Sequence, residues 1–187
     1  MIKSRLFIGI DVSHSLKDTI NMTSSTIECE KRDIKWNTGT NLHITLLFLG
    51  NIEKSLLPKI VKNINNSYLV EPFKISIEST GVFPNQIYPR TFWLGIKKGR
   101  QYIEGLHNGL EKKLKKFISI KQNNLYVPHV TIGRSNSTLN YNKLNIQNYL
   151  NTLYDPITLY VNSIGLYESK LCPEGSNYTL VNKFDLD

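Results

Sequence analysis

Asn41-Leu42-His43-Ile44-Thr45-Leu46 and Pro128-His129-Val130-Thr131-Ile132-Gly133 carry one pattern twice. Each reads His, apolar, Thr, apolar, within a run that suits a β-strand. Residues i and i+2 of a strand point to the same face. His43 and Thr45 therefore look one way, and Leu42, Ile44 and Leu46 the other. His129 and Thr131 are likewise set against Val130 and Ile132. Each strand has an apolar face for a core and a polar face for something else. A single strand histidine beside a threonine is commonplace and usually structural. Two copies, both flanked by apolar residues and in corresponding parts of the two halves, ask for a shared purpose.

Working outward, Arg5 to Val12 predicts a strand with Leu6, Ile8, Ile10 and Val12 on one face and Arg5, Phe7, Gly9 and Asp11 on the other. Ser13 is a candidate cap for a helix from about His14, with Leu16, Ile20 and Ile27 on its stripe. The first motif strand is expected over Asn41 to Leu49, ended by Gly50-Asn51. A helix over Ser55 to Leu69 has Pro58 in its first turn. Strands are expected at Phe73 to Glu78 and Thr91 to Lys97, with Pro84 and Pro89 in the loop between them. Gln101 to Phe117 is the clearest helix, buried through Ile103, Leu106, Leu110, Leu114 and Phe117. Lys112, Lys113, Lys115 and Lys116 at its end suit the helix dipole and read as a solvated face. The remainder predicts a strand (Val127 to Gly133), a helix (Leu144 to Leu153) and two strands (Ile157 to Tyr167, Tyr178 to Phe184). The second half loosely echoes the first, which points to an α+β fold of two similar lobes within one domain spanning residues 1–187.

Composition is consistent with a folded domain. Of 187 residues, 40% are hydrophobic and 20% charged, enough apolar mass for a core. There is no alanine, so helices must rely on packing of their apolar faces. The net charge of +8 favours polyanionic partners without naming one. Cys29 and Cys172 make no disulfide framework, and neither sits in a zinc-ligand spacing. Reduced thiols, together with the absence of a signal peptide or long apolar stretch, predict a cytoplasmic protein that does not enter a membrane.

If the lobes are related by a rough two-fold axis, the two motif strands set both polar pairs around one point. A tetrahedral phosphate suits that point, with an imidazole on either side and two threonine hydroxyls for its non-bridging oxygens. Cleaving a phosphate ester needs a base for the nucleophile and an acid for the leaving oxygen. Histidine serves as either near neutral pH. Hydroxyl donors stabilise charge on the phosphoryl oxygens. Neither a metal nor another cofactor is required. The other histidines, His14 and His107, fall in helical segments and are expected at the surface or in packing.

The two His-x-Thr-x motifs resemble those of the two-histidine (2H) phosphoesterase superfamily, and more narrowly the LigT-like RNA 2',3'-cyclic phosphodiesterases of the 2'-5' RNA ligase family. The resemblance extends to Arg5-Leu6-Phe7-Ile8-Gly9-Ile10-Asp11, Phe48-Leu49-Gly50, Gly81-Val82-Phe83-Pro84, Pro89-Arg90, Trp93-Leu94-Gly95 and Gly133-Arg134. It implies a bilobal fold with a mainly antiparallel sheet in each lobe and a cleft between them. It implies metal-independent opening of a 2',3'-cyclic phosphate, on RNA or a nucleotide, to a 2'-phosphate. Family roles suggest His43 as proton donor and His129 as acceptor, an order the near-symmetric motifs do not set. Further substrate-binding candidates are Arg134, Arg5, Phe7, Arg90 and Tyr126. Alternation points Arg134 away from Thr131 unless Gly133 breaks the strand. Phe7 is either a stacking platform or plain core, and Phe48, opposite in phase to His43, is expected in the core. A monomer is expected. Rival activities are 2'-5' RNA ligation, 2'-5' phosphodiester cleavage, hydrolysis of a small cyclic nucleotide, and RNA binding without turnover.

Overall fold

The computed structural model describes residues 2–12, 16–30, 32–37, 39, 41–65, 70–120, 125–137, 139–172 and 175–187. Its strands are β1 (Lys3–Asp11), β2 (Ile34–Trp36), β3 (His43–Glu53), β4 (Phe73–Phe83), β5 (Thr91–Ile96), β6 (His129–Ser135), β7 (Ile157–Val161), β8 (Ser163–Cys172) and β9 (Gly175–Asp185). Its helices are α1 (Lys17–Ser25), α2 (Leu57–Asn65), α3 (Arg100–Leu114) and α4 (Gln147–Leu150). Every strand pairing is antiparallel.

The strands lie in the order β7-β4-β5-β6-β3-β1-β8-β9, with β2 on β6. A half of β7-β4-β5-β6, with β2 beside β6, and a half of β3-β1-β8-β9 therefore meet where β3 touches β6, through the pair Ile44 and Val130. One half carries His43 and the other His129. The chain does not fill them in turn: the C-terminal hairpin β8–β9 joins β1 and β3 in the first half. The expected strand over Ile157 to Tyr167 breaks at Asn162. Only that residue separates β7, at one end of the order, from β8, next to the other end. One residue spans about 3.5 Å, so the sheet must curl until its two ends approach.

Alternation explains the core. Leu6, Ile8 and Ile10 of β1 are buried, as are Ile44 and Leu46 of β3 and Val130 and Ile132 of β6. Helix α3 lays Ile103, Leu106, Leu110 and Leu114 on β3, and α2 adds Ile60 and Ile64 beside it. Short α4 packs on β4 through buried Tyr149. The region after α1 is tied to the same side by Glu28 bridging Asn145 and by Thr152 Oγ1 donating to Thr26 Oγ1 at 3.3 Å. No helix among the described residues is long and apolar enough to cross a membrane.

Several expected boundaries differ. Helix α1 starts at Lys17 behind Leu16, and the expected Ser13 cap and His14 lie outside the described residues. Strand β3 runs through Gly50 to Glu53, because Gly50 takes a φ of 77° that a side chain would resist. A 3-10 turn over Lys54–Leu56 precedes α2, and the expected end of that helix, 66–69, is outside the described residues. Strand β4 continues to Phe83. The helix expected over Leu144 to Leu153 shrinks to α4, since its asparagine-rich sequence has little propensity and the buried Ile146 and Tyr149 are three residues apart with little else fully buried between the ends. Strand β2 has no counterpart in the expected elements: three residues around a lysine give no pattern.

Candidate active site

The motif strands β3 and β6 lie next to each other, and the polar faces of both open into one cavity of about 410 Å³. His43, Thr45, His129 and Thr131 all line it, together with Arg5, Phe7 and Arg134. Register explains the meeting: Ile44 and Val130 are paired and buried, so the residues on either side of them face the opposite way.

The imidazoles are held alike. Nδ1 of His43 lies 2.8 Å from the carbonyl oxygen of Asn41, and Nδ1 of His129 lies 2.7 Å from that of Val127. A carbonyl only accepts, so each Nδ1 carries a proton and donates it. Each ring in its neutral form therefore has a bare Nε2, the tautomer a base needs; protonated, the same atom becomes an acid. Both rings rest on aromatic side chains. Phe7 and Tyr178 approach His43 with ring centroids at 4.7 and 4.9 Å. Phe83 and Trp93 approach His129 at 5.1 and 6.1 Å.

Burial pushes both imidazoles below their ordinary value of 6.5. For His43 the bond to Asn41 opposes this, His129 and Arg134 reinforce it, and Asp11 opposes it. For His129 the bond to Val127 opposes it and Arg134 reinforces it. Asp11 stands opposite His43 in the β1–β3 register, whereas Gly95 stands opposite His129 in β5–β6. The two sites are thus electrostatically unequal although their motifs are nearly the same.

The flanking residues depart from simple alternation. Pairing of β1 with β3 jumps from Ile8–Leu47 to Gly9–Thr45, leaving Leu46 as an extra residue. Pairing of β5 with β6 jumps from Phe92–Gly133 to Trp93–Thr131, leaving Ile132 extra. Each jump is a β-bulge, and it reverses the phase of the residues beyond it. Arg134 therefore shares the cavity with Thr131 and lies 3.4 Å from Thr91 Oγ1. Phe48 is no core residue: it is 53% exposed and lines the cavity. Phe7 lines it too but is buried beneath Tyr167, Tyr178 and His43, so its faces are already occupied.

Arg90 and Tyr126 are not among the cavity-lining side chains. Arg90 is exposed near the end of β4, its N–H donating to Phe83 O at 2.7 Å. The Tyr126 hydroxyl donates to Thr45 O at 2.8 Å, behind the site. His107 is buried on α3, outside the cavity. Phe83, part of the Gly81-Val82-Phe83-Pro84 stretch, lines the cavity too, and cavity residues without a signal in the sequence include Asn37 and Tyr178. Asn37 comes directly after β2, a strand with no sequence pattern, and Tyr178 reaches the site from the C-terminal hairpin.

A model of the 2'-5' RNA ligase superfamily matches residues 23–171. The RNA 2',3'-cyclic phosphodiesterase of Methanothermobacter thermautotrophicus is 30% identical over 99% of this chain and 100% of its own length. That of Aquifex aeolicus is 31% identical over 97% of both chains. The crystal structure of Escherichia coli LigT complexed with 3'-AMP superposes with a TM-score of 0.77 over 99% of both chains, at 19% identity, a likeness of fold. Matched along most of its length in sequence and throughout in fold, this chain belongs to the 2'-5' RNA ligase superfamily.

Proposed function

We propose that the chain is an RNA 2',3'-cyclic phosphodiesterase that opens the cyclic phosphate to a 2'-phosphate through His43 and His129. The observation that carries this reading is the pair of matched imidazoles on one cavity, each with Nδ1 tied to a carbonyl and each followed by a threonine on the same face.

In the proposed reaction, Nε2 of His129 takes a proton from water as the water attacks phosphorus. The bond from phosphorus to the 3' oxygen breaks, and protonated Nε2 of His43 gives that oxygen its proton. The products are a 2'-phosphomonoester and a free 3'-hydroxyl. Burial holds the His43 imidazole below its ordinary value, but Asp11 opposite it favours the imidazolium an acid must start from, and Gly95 rather than a carboxylate faces His129 in its own register, an inequality that supports this order. Thr45 and Thr131 donate to the non-bridging oxygens, and Arg134 offsets their charge. Phe48, with its ring exposed beside the site, gives a nucleobase a face on which to stack. Two titrating imidazoles do acid and base work without a metal or other cofactor. The net charge of +8 suits an RNA substrate. A single-domain, cytoplasmic monomer completes the proposal.

The deciding experiment incubates the protein with an RNA ending in a 2',3'-cyclic phosphate and identifies the terminal phosphate. A 2'-phosphate supports the reading. An intact cyclic end, or a 3'-phosphate, refutes it.

A further inference from the structure

The bulges in β3 and β6 do more than reverse the strand phase. At each, two consecutive carbonyls, those of the motif threonine and the residue after it, find partners outside the β1–β3 and β5–β6 ladders. In β6, Asn37 takes both: its Nδ2 donates to Thr131 O at 3.0 Å and its N–H to Ile132 O at 2.7 Å. In β3 two side chains share the task. The Tyr126 hydroxyl donates to Thr45 O at 2.8 Å, and His107 Nδ1 donates to Leu46 O at 2.7 Å. The Tyr126 and His107 rings lie face to face, with centroids 3.9 Å apart and planes 8° from parallel.

The sequence explains why side chains are used there. Continuing the Ile44–Val130 register would set Leu46 opposite Pro128, which has no N–H to give. The ladder stops, and an unpaired buried carbonyl is costly. Tyr126 also lies three residues before His129, in the segment whose Val127 carbonyl holds the His129 ring. A path through hydrogen bonds and a few covalent links thus runs from the strand of His43 to the segment of His129.

We propose that Tyr126 and His107 are positioning residues: stacked on each other, they capture the two carbonyls of the β3 bulge and so hold His43 and Thr45 in register with His129. Neither touches substrate. The inference rests on the proposed cyclic phosphodiesterase activity and adds the parts that align its two halves. Misplacing a reacting group by about 1 Å can cost on the order of 10²-fold in rate, so modest slackening is visible in kcat.

The test uses Tyr126→Phe, His107→Leu and His107→Asn in the full chain, assayed well below each thermal midpoint on RNA with a 2',3'-cyclic phosphate end. Tyr126→Phe keeps the ring stack and removes the donor, and it should lower kcat about tenfold or more with KM within about twofold. His107→Leu should do the same, and His107→Asn, which restores an N–H near the Nδ1 position, should recover much of the loss. An unchanged kcat in Tyr126→Phe overturns the proposal, as does a rise in KM alone, which would make Tyr126 a substrate contact. Equal loss in His107→Asn and His107→Leu also overturns it. Should Tyr126→Phe fail to fold, the His107 pair decides; should none fold, the stack is a folding element and the proposal falls. If the parent itself does not open the cyclic phosphate, the functional reading fails separately. The positioning role is then judged from the His43 ring resonances in NMR: a shift between parent and Tyr126→Phe supports it, and identical resonances overturn it.

Discussion

Gly81→Ala tests the bed beneath His129. Gly81 pairs with Trp93 across β4 and β5. A Cβ built on Gly81 meets three carbons of the Trp93 indole at under 3.0 Å, a separation that real contacts essentially never show. The backbone cannot easily yield, because the buried Tyr149 hydroxyl reaches both strands, 2.9 Å from Trp93 O and 3.3 Å from Gly81 O. The indole must move instead. It packs on Phe83 at 5.1 Å and lies 6.1 Å from His129, so its displacement disturbs the histidine's floor. Forcing a methyl into a packed site costs about 1–3 kcal/mol. At about 2–4 °C per kcal/mol for a protein of this size, the thermal midpoint should fall by roughly 2–12 °C. Initial rates on RNA with a cyclic phosphate end should fall as well, by roughly tenfold. Gly105→Ala is the internal reference: Gly105 is exposed on α3 and its Cβ meets nothing within 4 Å. That change should stabilise the helix by about 0.5–1 kcal/mol and leave the rate alone. Circular dichroism melts and initial rates of the three proteins settle the matter. A Gly81→Ala protein that melts and turns over like the parent would refute the reasoning.

His43→Ala and His129→Ala should each reduce the rate by at least about 10²-fold, the scale of one general acid or base, measured as product formation against parent. Thr45→Val or Thr131→Val should lose less. The pH profile of kcat/KM should be a bell. Because the free enzyme's imidazoles both titrate below 6.5, its alkaline limb, where the acid loses its proton, should begin on the acid side of neutrality. Bound anionic substrate favours the imidazolium, so the kcat bell should sit higher; identical positions would argue against that charge effect, and an alkaline limb of kcat/KM beginning above neutrality would argue against burial as the cause of the free-enzyme shift. Phe48→Ala should raise KM for RNA roughly 5- to 150-fold, the equivalent of about 1–3 kcal/mol of base stacking, with little change in melting. Phe7→Ala should instead destabilise by about 3–5 kcal/mol, as a buried aromatic does. Activity should survive EDTA, and a loss restored by added metal would contradict the two-imidazole mechanism.

Much of the fold could be read because its elements are strongly periodic. The stripe Ile103, Leu106, Leu110 and Leu114 marks α3, and alternation in β1 separates Leu6, Ile8 and Ile10 from Phe7. What stayed hidden is tertiary. Nothing local says that β7 and β8, one residue apart, belong to different halves of the sheet, or that a C-terminal hairpin brings Tyr178 against His43. The short α4 has no periodicity to see, because a single phenol, Tyr149, anchors it. At the site, the motif quartet is legible since i and i+2 share a face whatever the surrounding fold. Tyr126 suggests itself as a polar residue three positions before His129, and Arg90 through the Pro89-Arg90 stretch of the resemblance, but neither signal says on which side of a strand a group lies.

Phe48 and Arg134 show where the alternation rule itself gives out. Each stands five positions after its motif histidine, an odd step that simple pleating sends to the opposite face. Each nevertheless lines the cavity with that histidine, because Leu46 in one strand and Ile132 in the other are extra residues in their ladders. Gly133 gives some warning of the second bulge. The first has no such mark, its extra residue Leu46 lying between Thr45 and Leu47. The equivalence of the two strands carries the missing information. If Gly133 frees Arg134 to face the cavity, the matched strand must break phase at the same step to keep both halves alike, and Phe48 must turn inward with it. The bulges thus give two nearly identical motifs different third members, a guanidinium in one half and an aromatic ring in the other. The pseudo-symmetric cavity acquires by this means a charged side and an aromatic side, the two surfaces that the proposed nucleotide substrate would use.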